Sequence, residues 1–296
     1  MSAIAEREGR RRLRGLAPSL FMLVVFFLAP LAIIVAYSLM TKGPYGGVIP
    51  EFSLDAYRKI VLQEQLDGSF QTNFALLTIL GRSLGLALIT TALCLLIGFP
   101  TAFVIAQQSD RMKTLLLILI MVPFWSNLLI RTIAWIILLR DTGPINGFLL
   151  WSGLLDDPLS MLFTNGAIVV GLVYVYIPFM ILPIYTSVER LDKNLLEAAF
   201  DLYAKRSHIF FKIIAPLTAP GIIAGCFLVL IPCIGAFVTP DLLGGGRKLM
   251  IGTLIQRQFT EARDWPYGAA LSTVLLSLVM IALFYQSRSG GKKKAG

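Results

Sequence analysis

The sequence predicts an all-α integral membrane protein with six transmembrane helices, and three observations carry that prediction. Hydrophobic residues make up 56% of the 296, charged residues only 15%, and the mean hydropathy is +0.77, far from the soluble globular range. Six segments are long and apolar enough to cross a bilayer: Leu16 to Met40, Ser83 to Ala106, Leu115 to Leu139, Gly166 to Val188, Ile213 to Val238 and Gly268 to Tyr285. Lys and Arg are distributed unevenly between the two sets of connecting segments.

The first span follows Arg7, Arg10, Arg11, Arg12 and Arg14, as in the basic start of a signal peptide, but no small-residue cleavage site follows its uncharged stretch. It reads as an uncleaved anchor. With the N-terminus inside, sixteen Lys and Arg fall on the cytoplasmic side, eight fall outside, and Arg82 and Arg131 lie at or within spans. That bias places both termini in the cytoplasm of a multi-pass membrane protein. The expected organisation is a basic N-terminus over 1–15, a membrane domain over 16–286 and a basic tail over 287–296.

The outer connections have a different character. Thr41 to Asn73 contains Gly43-Pro44-Tyr45-Gly46-Gly47 and then Asp55, Arg58, Lys59 and Glu64, which predicts a turn followed by a short amphipathic helix at the outer surface. Arg140 to Asn165 is rich in turns. Neither connection is a linker between domains, and no short repeat is present.

A net charge of +9 suggests nucleic acid in a soluble protein, but here the inside bias and an anionic lipid surface explain it, with no interleaving of basic and aromatic residues. Cys94, Cys226 and Cys233 all lie within spans without metal-ligand spacing and read as small packing residues. One histidine and no clustered carboxylates within a span predict no metal site.

The most informative segment is the charged loop over 189–212, which cannot be buried in hydrocarbon. Leu195, Ala198, Ala199 and Leu202 recur at i, i+3, i+4 and i+7, with Glu197 and Asp201 on the adjacent face, so the loop carries a short amphipathic helix suited to docking. Glu197-Ala198-Ala199, then Phe200, Asp201, Leu202, Tyr203, and after nine residues Ile213, Ile214, Ala215 and Pro216 resemble the coupling loop of permease subunits of binding-protein-dependent ABC importers. That pattern runs Glu-Ala-Ala, three residues, Gly, nine residues, Ile, any residue, Leu, Pro. The spacing from Glu197 to Pro216 fits without a gap, while Tyr203 stands at the Gly position and Ala215 at the Leu position. A left-handed backbone costs a non-Gly residue roughly 1–2 kcal/mol, so the turn at Tyr203 is expected to be less sharp, or strained.

The resemblance extends from about Leu76 to Tyr285. Arg82-Ser83-Leu84, Gly98-Phe99-Pro100, Pro123 to Arg131, Phe237 to Gly245, Gln256 to Phe259 and Asp264 to Ala270 are similar to the polyamine branch, though permeases for anions, ferric iron and opines share much of this scaffold. It implies a type I importer permease fold whose coupling helix, anchored by Glu197, fits a groove on an ATPase subunit. It further implies two ATPase subunits carrying ATP and Mg, a second permease subunit and a periplasmic solute-binding protein. This chain has no Gly-x-x-x-x-Gly-Lys-Ser/Thr, so no cofactor is expected on it.

Polar and aromatic residues interrupting the spans are candidate solute contacts. Asn127 and Arg131 are i, i+4, and Tyr174 and Tyr176 precede Pro178 and Pro183, where prolines free carbonyls. An inter-helix ion pair or carbonyl clamp is the alternative for Arg131. A polyamine needs carboxylates or aromatic faces once out of water, and Asp241, Glu261, Asp264 and Trp265 could supply them at the outer mouth. The alternative there is that they hold the loop or contact the binding protein.

Two other function classes fit poorly. Gly81-Arg82-Ser83-Leu84-Gly85 matches a serine-nucleophile turn, but the single histidine, His208, lies on the cytoplasmic side and Ser83 starts a span on the outer side. Gly81, Ser83 and Gly85 read instead as small-residue helix packing. An ion-coupled secondary transporter needs acidic residues in its spans, and none has one in its interior.

Overall fold

The computed structural model describes residues 18–64 and 70–291. The basic N-terminus over 1–15 and the last five residues of the tail lie outside the described residues. The chain forms two compact units, one from residues up to Leu76 together with those from Leu254 onward, the other from Leu77 to Thr253.

In the first unit, α1 (Pro18–Ser38) is an apolar span with its large side chains exposed, as lipid contact requires. Its π-helical stretch Val24–Leu28 precedes Pro30, so the widened turn absorbs a residue that cannot donate to the ladder. The glycine-rich turn closes a hairpin of β1 (Met40–Lys42) and β2 (Val48–Phe52), with Gly46 at φ 91° and Gly47 at φ 81°. Next come α2 (Asp55–Val61), β3 (Leu62–Glu64) and β4 (Phe70–Thr72), β3 pairing antiparallel with β4. The expected turn and short helix are therefore present, flanked by strands too short for an alternating pattern to mark.

In chain order the other helices are α3 (Phe74–Ala106), α4 (Asp110–Met121), α5 (Leu128–Leu139), α6 (Pro144–Trp151), α7 (Asn165–Glu189), α8 (Lys193–Asp201), α9 (Arg206–Ile234), α10 (Val238–Leu243), α11 (Ile251–Thr260) and α12 (Trp265–Gly291). Five helices among the described residues, α1, α3, α7, α9 and α12, are each long and apolar enough to span. In the first unit α12 packs on α1 and α2.

The expected straight span from Leu115 to Leu139 is broken. α4 ends in a 3-10 turn, Val122–Trp125, and the chain bends by 92° before α5, so the sixth span exists only if the two halves are taken together. The cause is local: Pro123 withholds a donor, Ser126 Oγ donates to the Pro123 carbonyl at 2.7 Å, and Asn127 Oδ1 accepts from Leu129 N at 2.8 Å. Side chains that bond their own backbone compete with the helical ladder, and here they restart it.

The second unit is organised around the crossing of α7 and α9. A Cβ on Gly225 would stand 2.8 Å from Met180 Sδ, and one on Gly221 would collide with Ser187 and the Pro183 carbonyl. Small residues four apart on α9 thus admit α7 at backbone range, the usual device where lipid provides no hydrophobic drive between helices. Cys94 and Cys233 are buried and Cys226 partly so, all as free thiols, in agreement with a packing role. The expected packing role of Gly81 and Gly85 is not met among the described residues, where a Cβ on either would enter open space.

A candidate coupling and translocation site

The loop between α7 and α9 contains the helix its spacing predicts. Asp192 Oδ1 accepts from Asn194 N at 2.9 Å and so caps the start of α8. Of the predicted stripe, Ala199 alone is buried, in the core formed with Ile184, Val188, Ile209 and Ile214. Leu195 is 48% and Leu202 82% exposed, and Ala198 is exposed as well. Glu197 and Asp201 also face solvent, with no ion-pair partner among the described residues. Among its described side chains, α8 buries Ala199 and presents Leu195, Leu202, Glu197 and Asp201 outward.

α8 ends in a left-handed turn. Ala204 N donates to the Ala199 carbonyl at 3.1 Å, the six-residue bond of a Schellman cap, and Tyr203 at the capping position has φ 54°. The sharp glycine-type turn is kept and Tyr203 bears its strain. Its side chain is 95% exposed, so packing within this chain does not offset the cost.

On either side of the loop the helices are braced. Glu189, the last residue of α7, accepts from Tyr185 Oη at 2.6 Å and from Lys113 Nζ at 3.3 Å, tying α7 to α4. α9 begins at Arg206, passes through a π-helical stretch, Phe210–Ile214, and meets Pro216 two residues later. As in α1, the wide turn accommodates the proline.

In the middle of the broken span, Asn127 serves as the cap of α5. Arg131, one turn further, lies over the Phe124 ring at 5.2 Å, and its Nε and Nη1 are buried with no hydrogen-bond partner among the described residues. Among the described residues, Nε and Nη1 of Arg131 thus take part in neither the ion pair nor the carbonyl clamp considered for it, and the Phe124 ring face lies against its charge. Phe124 meets Phe179 edge-on at 5.1 Å, and Phe179 neighbours Tyr176 at 6.4 Å. Tyr176 Oη donates to the Pro232 carbonyl at 3.2 Å, while Tyr174 stands edge-on to Trp135 at 5.6 Å. Proline at 232 in α9 and tyrosine at 176 in α7 are thereby linked, a contact that sequence spacing alone does not reveal. Asp241 is partly buried in the first turn of α10.

The three remaining candidates belong to the first unit. Asp264 is buried and pairs with Lys59 at 3.2 Å and Lys42 at 3.5 Å, while its Oδ1 accepts from Tyr267 N at 3.2 Å and so caps α12. Trp265 packs against Tyr37 at a centroid distance of 6.2 Å. Glu261 is exposed and stands 3.8 Å from Arg257. For Asp264 the geometry favours holding the loop, because two lysines already match its charge.

Residues 95–288 match the family model described as a binding-protein-dependent transport system inner membrane component. The chain belongs to that family. The permease is 43% identical over 274 residues, 92% of its length and 96% of the relative's, to the spermidine/putrescine transport system permease protein PotB of Escherichia coli strain K12. It is 39% identical over 90% of both lengths to PotB of Haemophilus influenzae, and 27% identical to the molybdenum transport system permease protein ModB of Azotobacter vinelandii over 70% of this chain and 91% of that one. Its fold resembles a chain of a bacterial ABC transporter involved in the import of the acidic polysaccharide alginate, with a TM-score of 0.64, 17% identity, and coverage of 97% of this chain and 99% of the other.

The permease is a transport component rather than an enzyme, and its one nucleophile-like motif has a structural explanation. Ser83 is 1% exposed, donates to the Ile79 carbonyl at 2.8 Å and accepts from Ile251 N at 2.8 Å. Its hydroxyl is engaged both as donor and as acceptor, while His208 is exposed at the start of α9. Ser83 is thus a cap for α11.

Proposed function

We propose that this permease forms, with a second permease subunit and two ATPase subunits carrying ATP and Mg, an importer that takes spermidine or putrescine from a periplasmic binding protein. The observation that carries the solute is the 43% identity to a spermidine/putrescine permease across nearly the whole of both chains, against 27% to a molybdenum permease. Both termini and α8 face the cytoplasm, consistent with the Lys and Arg bias.

α8 is the coupling helix. Leu195, Ala198 and Leu202 enter an apolar groove on the ATPase, Glu197 and Asp201 meet its cations, and the strained Tyr203 turn, with Pro216 beyond it, sets the angle at which α8 projects. Closure of the ATPase pair on ATP moves α8, and the brace from Glu189 to Lys113 and Tyr185 passes the motion to α4 and α7. The path then alternates between outward and inward access by a shift in population. Along it, the rings of Phe124, Tyr174, Tyr176 and Phe179 offer faces to ammonium groups, with Asn127 and Arg131 beside them. In the first unit Glu261 and Trp265 receive the solute and Asp264 fixes the loop that carries them, and in the second unit Asp241 is a solute contact.

An anionic solute is the second reading, favoured by Arg131, whose Nε and Nη1 have no hydrogen-bond partner among the described residues. Uptake of radiolabelled spermidine and putrescine by a strain lacking only this chain, with and without complementation, separates the two. Uptake lost and restored supports the polyamine reading, and unchanged uptake in a strain with no other polyamine system discards it.

A further inference from the structure

Where the end of α3 meets the start of α9, a pocket of 550 Å³ opens within the second unit. Its walls are aromatic: Phe99 and Phe103 are stacked at 6.4 Å, and Phe210 stands edge-on to Phe99 at 5.3 Å. Ile209 and Ile214 are buried behind them. At the rim lie Gln107 and Arg206, both exposed, and neither side chain has a hydrogen-bond or ion-pair partner among the described residues. Among the described residues no acidic residue lines the pocket, and Lys205 and Lys212 are exposed close by in the chain.

An apolar chamber at the end of two spans with a free guanidinium at its mouth matches one ligand chemistry, a hydrocarbon chain attached to an anion. We propose that this pocket binds an anionic phospholipid of the inner leaflet, with an acyl chain among Phe99, Phe103 and Phe210 and the headgroup phosphate on Arg206 and Gln107. Basic pockets between spans on the cytoplasmic side suit such headgroups, and the volume lies within the range of about 300–1,000 Å³ found for small-ligand sites. A polyamine is disfavoured there by Arg206. The proposal rests on the reading of the loop over 189–212 as cytoplasmic.

Occupancy would have a consequence for coupling. Arg206 begins α9 four residues after Leu202, and Phe210 opens the π-helical stretch, so a lipid seated there ties the segment after α8 to α3. Anionic lipid then sets how firmly α8 is held.

The test is native mass spectrometry of the purified full transporter offered phosphatidylglycerol or phosphatidylcholine, together with ATPase activity in nanodiscs of each lipid. The wild type should retain one phosphatidylglycerol about tenfold more tightly than phosphatidylcholine, a difference of about 1.4 kcal/mol. Arg206→Ala should abolish that preference, and Phe103→Trp, which fills the chamber, should lose the bound lipid while Arg206 stays. Equal retention of both lipids, an unchanged preference in Arg206→Ala, or a peptide in place of lipid would each overturn the proposal. Sidedness is read separately by labelling Lys205→Cys with an impermeant maleimide in oriented vesicles. Labelling from the periplasmic side would sink the loop orientation without affecting lipid retention.

Discussion

The amide of Ala204 reaches back to the carbonyl of Ala199 at 3.1 Å, and this bond holds Tyr203 at φ 54° where glycine would sit without strain. Substitution Tyr203→Gly should therefore relieve about 1 kcal/mol at the end of α8. Amide hydrogen exchange at Leu202 and Ala204 should slow by up to about fivefold if glycine's added freedom in the open state does not cancel the gain. Faster exchange would mean that the tyrosine stabilises the turn by contacts not seen within this chain.

Glu197 is exposed on the outward side of α8, with no ion-pair partner among the described residues. Glu197→Lys should leave membrane insertion unchanged and weaken retention of the ATPase subunits at least about tenfold, as reversal of an interfacial charge does. Co-purification from matched amounts of membrane protein measures it. Full retention with normal uptake would remove α8 from the coupling interface.

Asp264 and Asp241 should part company. Asp264→Asn leaves Lys42 and Lys59 facing a neutral group, and because both lysines are substantially exposed the loss should be only about 1 kcal/mol, seen as a lower midpoint of thermal unfolding with little change in spermidine affinity. Asp241→Asn should instead raise the half-saturating spermidine concentration several-fold in the assembled transporter. The reverse pattern would exchange their roles.

Arg131 lies over Phe124, and its Nε and Nη1 have no hydrogen-bond partner among the described residues. If polyamines pass the aromatic cluster, Arg131→Met frees a ring face and removes a repulsive charge, and should lower the half-saturating spermidine concentration by a few-fold while preserving bulk. A fall in assembled transporter with unchanged affinity would make Arg131 a strut of the broken span.

Five spans were legible because hydropathy sums over about twenty residues, and α8 because its apolar spacing is local. The break in the third span was not. Pro123 looks no different in sequence from Pro178 or Pro183, around which α7 stays helical. What distinguishes it is that Ser126 and Asn127 both turn onto nearby backbone.

Long-range pairings were equally hidden. Lys59 and Lys42 meet Asp264 across more than two hundred residues, and no periodicity encodes that. Buried Asn146 donates to the carbonyls of Arg140 and Leu159 and accepts from Leu159 N at 2.9 Å, organising a connection that reads in sequence only as turns. Tyr203 was legible as a departure from glycine, but only the backbone shows that the chain accepts the strain rather than opening the turn.

The most direct test is ATP hydrolysis by the purified transporter in nanodiscs, with its binding protein supplied empty, loaded with spermidine, or offered molybdate. Spermidine-loaded binding protein should raise the rate several-fold in the wild type and leave it at the basal level with Glu197→Lys. Stimulation by molybdate and none by spermidine would contradict the polyamine assignment, and equal stimulation of the Glu197→Lys complex would contradict coupling through α8.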